Sequence, residues 1–508
     1  MFDSKIEVDQ VSFVLNSQPS KVELKVISED NRCINQLSFL LTMKLFINLD
    51  KNVCMTLKLR YYLTILLFTF CLFSVINFKE ETGAKAIDAI NKDELAISTG
   101  NNQPVLKDPN LKVEEVINGL FLPTAISFLS ENDFIVLQKN GTVIRVVNGT
   151  FIDKPLLNLD VASGFYQGLL GSAVSKSKTS NSTYVFLYYT EANSTNSSNN
   201  DNKTNTLGFN PSNQPMENKL YRYELIGNNL TNPKLILQLP STPGPENNGG
   251  HITIGPDDNL YLIIGNVMDA SNETVVQTLA QNFVNGSKAD GRSGILRITQ
   301  DGLPVNESRD TPGILGWDYP TNLYYAYGIH NGFGLDFDPV TGYLWDTETG
   351  HNIYNDEINL VMPGFNSGFG VVQGISIFFP NSLYSLVNFN GIGKYSDPEF
   401  VWIQKAVPTG IKFLTSDKLG SNYQNDLFVG TFNAEKIYHF DLTEDRTQLN
   451  LPPSLQPKIL LTLNSTGADK IDFGSGFGGI SALEVSPDGY LYVVGVVNGA
   501  VYKITAND

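Results

Sequence analysis

The chain has 508 residues and a net charge of −17, an acidic balance that argues against a nucleic-acid partner or docking on an anionic membrane surface, since both need clustered Lys and Arg. With 43 Gly, 30 Phe and 22 Tyr, and no long helical periodicity past residue 110, the composition indicates a large all-β body.

Residues 1–54 support no fold of their own and read as an N-terminal extension or a cytoplasmic tail. Met55 opens a second candidate start, MTLKLRYYLTILL. Lys58 and Arg60 then precede the uncharged apolar run Tyr61 to Phe78, and Ala84-Lys85-Ala86 follows it. That order is the layout of a secretory signal, and the run is also just long enough to span a bilayer. Residues 55–86 are therefore expected to be a signal peptide or a membrane anchor, with the body outside the cytoplasm, secreted or at the cell surface. Residues 87–110 read as a polar linker.

From residue 111 to 508, six stretches repeat one pattern: an apolar alternating run, a Gly- or Asp-bearing turn, then a second apolar run. In chain order they start at Pro123, Gly168, Gly249, Asn331, Pro408 and Gly478. Period-two alternation broken by PDG, PDD or DPVTG marks antiparallel strands joined by tight turns. Six copies over about four hundred residues predict a closed six-bladed β-propeller.

Between copies, Asn193 to Asn218 is too poor in apolar residues to fold alone and is expected to be a surface loop in the second repeat. A second insertion, 371–400, is richer in Phe, Tyr and Gly and is expected to shape a pocket rim. A Pro-rich connector, LPPSLQPK, starts at Leu451. The three cysteines, Cys33, Cys54 and Cys71, all precede the body, which therefore has neither disulfides nor thiolate metal sites. N-x-S/T sequons at Asn140, Asn148, Asn181, Asn193, Asn229, Asn272, Asn306 and Asn464 are candidate glycosylation sites in an exported chain, though some are expected chance matches in so Asn-rich a sequence. No G-x-S-x-G elbow or Ser-His-Asp pattern stands out, and the Gly-rich strings lack a strand–turn–helix context.

The ordered segments GLFLPTAISFL, QGLLG, NNGGHITIGPDDNLY, YGIHNGFGLDFDPVTGYLWDTETG, NDEINLVMPGFNSGFG and SPDGYLYVV together resemble the soluble PQQ-dependent glucose and sorbosone dehydrogenases. The resemblance runs from about Val113 to Ile504 and implies a quinone on the propeller axis, Ca²⁺ at its carbonyl, a sugar substrate and an external electron acceptor. It implies that Gln167 and Asn331 contact the cofactor. It also places Thr349 and Gly350 at the cofactor, the carbonyls of Gly350 and His351 at the metal, and Asp356 with Glu357 at a Ca²⁺ site.

The chain departs from the family pattern at the demanding positions. Asn247 stands where the family has the histidine that takes the hydroxyl proton. His330 stands where an arginine stabilises developing charge, and Gly479 replaces a later arginine. An amide is no base near neutral pH, and losing a general base costs roughly a hundred- to ten-thousand-fold in rate. His251 lies four residues beyond Asn247, roughly 13 Å along an extended strand, and reaches that place only if the NNGG turn folds back. The histidines His251, His330 and His351 could instead form a rearranged acid–base set, hold a transition metal, or simply fill inherited loops; His439, in an alternating strand, reads as structural. Two functions follow as expectations: an exported quinoprotein-like sugar dehydrogenase with altered catalytic positions, or a non-catalytic propeller binding carbohydrate or protein on its axial face.

Overall fold

The computed structural model describes the strands at 4–8, 11–18 and 21–28, and residues 103–177, 182–192, 215–269, 275–305, 313–351, 355–379 and 382–507. The chain divides into two units, Met1–Ser98 and Thr99–Asp508. In the first, Ser4–Val8, Val11–Gln18 and Lys21–Ser28 form a three-stranded antiparallel meander, in a stretch for which the sequence suggested no fold. The apolar run 61–78 and the Asn-rich loop through residue 214 lie outside the described residues. Among those described, no helix is long and apolar enough to cross a membrane.

The second unit is an all-β propeller. Each of the six sequence copies supplies the inner strands of one sheet. The first sheet is built on Pro123–Ser130, Asp133–Gln138 and Thr142–Val147, and the second on Leu169–Lys176, Thr183–Ala192, Pro215–Ile226 and Asn229–Leu239. The third comprises Ile252–Ile254, Leu260–Ile264, Gly294–Ile298 and Tyr324–Tyr327. Gly332–Phe337, Leu344–Glu348, Asp356–Val361 and Phe400–Trp402 make the fourth. The fifth has Pro408–Phe413, Leu427–Thr431, Lys436–Phe440 and Asp472–Ser475. In the sixth, Ile480–Val485, Leu491–Gly495 and Ala500–Ala506 are joined by Leu111–Ile117 from the other end of the body. The innermost strands touch one another in sequence, and that of the sixth sheet touches that of the first.

Turn chemistry explains the hairpins. In GPDDN, Gly255 N donates to Asn259 O (2.9 Å), with Asp258 in the left-handed region at φ +66°. In SPDGY, Ser486 N donates to Tyr490 O (2.9 Å) and Gly489 takes φ +92°, a conformation that favours glycine. Middle strands are buried on both faces, as in Leu260–Ile264 and Leu427–Thr431, so they read as apolar runs rather than strict alternation. The core is correspondingly divided into six apolar clusters, one at each junction between neighbouring sheets. Trp345 and Trp402, both fully buried, anchor the junction of the fourth and fifth sheets; truncating such a residue to Ala costs about 3–5 kcal/mol.

Three segments form strands or turns that the sequence reading did not include. The end of the expected linker is not free: Val105–Leu106 pairs with the outer strand Asp472–Ser475 of the fifth sheet. The insertion 371–400 forms short 3₁₀ turns and sends Lys394–Tyr395 alongside Phe365–Asn366 at the margin of the third sheet. The Pro-rich connector lies within the fifth repeat, and Ile459–Leu460 beyond it pairs in parallel with Phe400–Trp402 of the fourth.

Candidate active site at the propeller mouth

Three loops meet where the second strands of the third and fourth sheets end. A Cβ built on Gly265 would stand 2.4 Å from Asn247 O and 2.6 Å from His330 O. Only glycine lets the NNGG turn, the strand end at Gly265 and the segment IHN cross so closely. Asn247 sits in the left-handed region at φ +57° and is buried, a conformation that Asn tolerates better than most residues.

At this crossing the side chains of Asn247 and His330 pair. Asn247 Nδ2 lies 3.1 Å from His330 Nε2 and donates to Asn266 Oδ1 at 2.8 Å. His330 Nδ1 lies 2.7 Å from the carbonyl of Thr349. Since a carbonyl only accepts and an amide nitrogen only donates, the ring is neutral, with its proton on Nδ1 and its Nε2 lone pair facing the amide. Burial lowers its pKa to about 3 against the pull of the Thr349 carbonyl, and His351 and Lys405 lower it further. His330 is therefore a weak base with both nitrogens engaged. His351 is exposed beside it, ring centroids 5.3 Å apart in an edge-to-face arrangement, and Phe369 packs on His330 at 4.9 Å.

His251 is not part of this group. Its imidazole bonds the backbone of Leu335 and lies within the field of Lys412, and burial brings its pKa down to about 4. The NNGG turn does not fold back onto the base position; it feeds Ile252–Ile254 into the axial layer, and His251 goes with it.

The expected acidic pair is split. Neighbouring residues on a strand point to opposite faces, and Asp356 and Glu357 begin Asp356–Val361. Asp356 accepts three backbone N–H groups: Gly350 (3.0 Å) on Oδ1, and Ala406 (2.7 Å) and Val407 (2.8 Å) on Oδ2. It clamps two loops together and is no free metal ligand. Glu357 instead lies directly across from Glu348 in register. Both line a cavity of about 10 Å³ with Thr349, Gly350, Asn355 and Gln373. Glu357 Oε1 accepts from Gly374 N at 2.6 Å and Glu348 Oε2 from His330 N at 3.0 Å. Asp346, two residues before Glu348, shares the donor Asn359 Nδ2 with it. Desolvation first, then the neighbouring carboxylates, push the pKa values of Glu348 and Glu357 well above the ordinary range. Like charges directly opposed in a buried ladder need protons or a cation between them. Two carboxylates beside backbone and amide oxygens suit a hard cation such as Ca²⁺.

The remaining sites lie nearby in the loops. Gln167 and Asn331 are buried, and Gln167 Nε2 and Asn331 Oδ1 have no protein partner. A buried orphan polar atom calls for a partner, which water, an ion or a polar ligand can supply. Thr349 N donates to Asn331 O at 2.9 Å, which locks the ETG turn onto the IHN segment. At Gly479 (φ +69°) the Phe432 ring lies 3.2 Å from where a Cβ would stand, so an aromatic surface closes on this glycine. Sequence reasoning missed Glu348, Lys139 and Lys405. Lys139 packs against Gly168 in QGLLG, donates to Phe165 O, and has its pKa lowered to about 8 by burial; Lys405 faces Asp356 and His330. Only Glu348 carried a signal, as the acidic residue of the quoted ETG.

Comparison with known proteins agrees with this architecture. The glucose/sorbosone dehydrogenase family matches residues 120–503. Aldose sugar dehydrogenase YliI of Escherichia coli (strain K12) is 23% identical over 389 residues, 76% of this chain and 90% of that protein. Quinoprotein glucose dehydrogenase B of Acinetobacter calcoaceticus is 27% identical over 214 residues, 40% of this chain and 42% of that one. The crystal structure of a putative oxidoreductase (glucose dehydrogenase) from Thermus thermophilus superposes with a TM-score of 0.56 at 24% identity, covering 78% of this chain and 99% of that chain, and shows the same fold. The chain belongs to the glucose/sorbosone dehydrogenase family.

Proposed function

We propose that this protein is an exported, six-bladed quinoprotein-type oxidoreductase acting on an aldose sugar, with its proton-transfer step weakened by substitution. One observation carries the reading: the hydrogen-bonded Asn247–His330–Thr349 chain occurs together with two buried orphan amide groups, that of Gln167 and that of Asn331, the residue after His330. The first is a base position refilled by an amide, and the second is the pair of positions that would hold a cofactor edge.

When bound, PQQ supplies the two-electron acceptor. Gln167, Asn331, Thr349 and Gly350 would hold it, and Glu348 and Glu357 would hold Ca²⁺. The residues of the chain do the rest. Asn247 orients a hydroxyl by hydrogen bonding but takes no proton from it. His330, neutral and tied at both nitrogens, positions the turn rather than accepting protons. Tyr166 and Phe333, ring centroids 6.2 Å apart, offer an apolar face of the kind a sugar ring packs on. The closed Asn247–His330 pair equally favours a second reading, a propeller that binds a sugar without oxidising it.

The test loads the full-length chain with PQQ and Ca²⁺ and follows aldose-dependent dye reduction. The unmodified chain is expected to be slow. Asn247→His, alone or with His330→Arg, raises turnover by up to about a hundred-fold, the scale of one restored general base. Brisk turnover that Asn247→His leaves unchanged overturns the assignment of Asn247 as the substituted base. Sugar binding with no turnover in any variant favours the non-catalytic reading.

A further inference from the structure

Asp426, His439 and Asp441 are, among the described residues, a group of metal-ligating side chains whose donor atoms all lie within 4.8 Å of one another. His439 Nε2 is 2.9 Å from Asp426 Oδ2 and 3.7 Å from Asp441 Oδ1. Donors bound to one tetrahedral ion at 2.0–2.1 Å stand about 3.3 Å apart, so the spacing needs little adjustment.

Local structure holds the three together. Asp426 immediately precedes Leu427–Thr431 and Asp441 follows Lys436–Phe440; Leu427 pairs with Phe440, so register brings both carboxylates to one end of the hairpin. His439 lies opposite Phe428, and its ring is wedged between Phe428 and Tyr423, at 5.0 and 5.1 Å. These contacts hold the imidazole plane so that Nε2 faces the carboxylates. The guanidinium of Arg446, which bonds Asp338 Oδ2 and the carbonyl of Asn425, is engaged elsewhere. The mouth loops leave the fourth sheet at Glu348 and Asp356, and the matching strand ends of the fifth sheet are Thr431 and Lys436. Asp426 and Asp441 sit at the other ends, on the rim away from the mouth.

We propose that Asp426, His439 and Asp441 bind a first-row divalent metal ion of the zinc type through one imidazole nitrogen and two carboxylate oxygens, with water completing the coordination. The imidazole selects this class over Ca²⁺ and Mg²⁺, which prefer oxygen throughout. The ion relieves the repulsion of two facing carboxylates; burial and then the Asp426 carboxylate already raise the pKa of Asp441. It also ties the two strand ends of the hairpin, so it stabilises the folded state alone.

The test titrates chelator-treated full-length chain with Zn²⁺ by calorimetry and records the visible spectrum of the Co²⁺ form. One equivalent is expected to bind in the micromolar range. His439→Gln and Asp441→Asn each weaken binding by about tenfold or more, while the response of the melting temperature to Ca²⁺ is unchanged. Asp441 is more than half exposed, so its variant tests the site even where His439→Gln folds poorly. Absence of Zn²⁺ binding, or binding that survives Asp441→Asn at full strength, overturns the site.

Discussion

At the scale of the residue, Asp356 and Glu357 are neighbours in sequence with opposite work. Asp356 satisfies three backbone N–H groups from two loops, whereas Glu357 faces Glu348 across a small cavity. Asp356→Ala is therefore expected to lower stability by about 3 kcal/mol or more, measured by denaturant unfolding, because it orphans buried donors. Glu357→Gln is expected to fold and to lose the rise in melting temperature caused by Ca²⁺. That rise also depends on pH. Since burial raises the pKa values of Glu348 and Glu357, their protonated forms stabilise the calcium-free fold at low pH, and this contribution is lost as pH rises through the folded pKa values. Calcium needs the deprotonated forms, so the calcium-dependent shift should grow as pH rises above the ordinary carboxylate range and through these raised pKa values. Melting curves with and without chelator that stay superimposed across this range would remove the site.

At the scale of the element, the repeats were legible because PDG and DPVTG turns interrupt apolar runs, and turn chemistry is local. The segments that cross between sheets were not. Val105–Leu106 and Ile459–Leu460 are two-residue strands, too short to show a period. What makes them strands is the exposed edge each one finds. The closing strand Leu111–Ile117 is the most consequential of these crossings. It pairs along nearly its full length with Ala500–Ala506, and Ile117 packs in the cluster between the sixth and first sheets. Deleting Leu111–Ile117 leaves an open edge and an unfilled junction. The expected result is loss of a single cooperative melting transition in calorimetry; a chain lacking that strand that still melts as sharply as the parent would contradict closure by the N-terminal strand.

At the scale of the whole molecule, export is our proposal from the order of Lys58, Arg60, the apolar run and Ala84-Lys85-Ala86. Protease added to intact cells should degrade any anchored propeller, cutting first between Asn193 and Asn218, and a secreted form should appear in the medium. A chain found only in a protease-protected, cell-associated form would reverse the topology.

The amino-acid sequence alone determined the all-β class and the repeated strand–turn–strand unit. Both rest on local periodicity and turn-forming residues, which act over a few positions. The family resemblance also singled out Asn247, His330 and Gly479 as expected departures, an expectation that needs residue types and no coordinates. Only tertiary structure decided what those residues do. Asn247 and His330 are 83 positions apart yet hydrogen-bonded, which no spacing along one strand reports. Asp356 and Glu357 looked like a pair in sequence, and the alternation of a strand sent them to different partners. Glu348 joined Glu357 because the register of two strands put them face to face, and Asp426 met His439 and Asp441 for the same reason. Propensity acts between near neighbours; register and burial are set by the closed ring of sheets, and the site's chemistry follows from those.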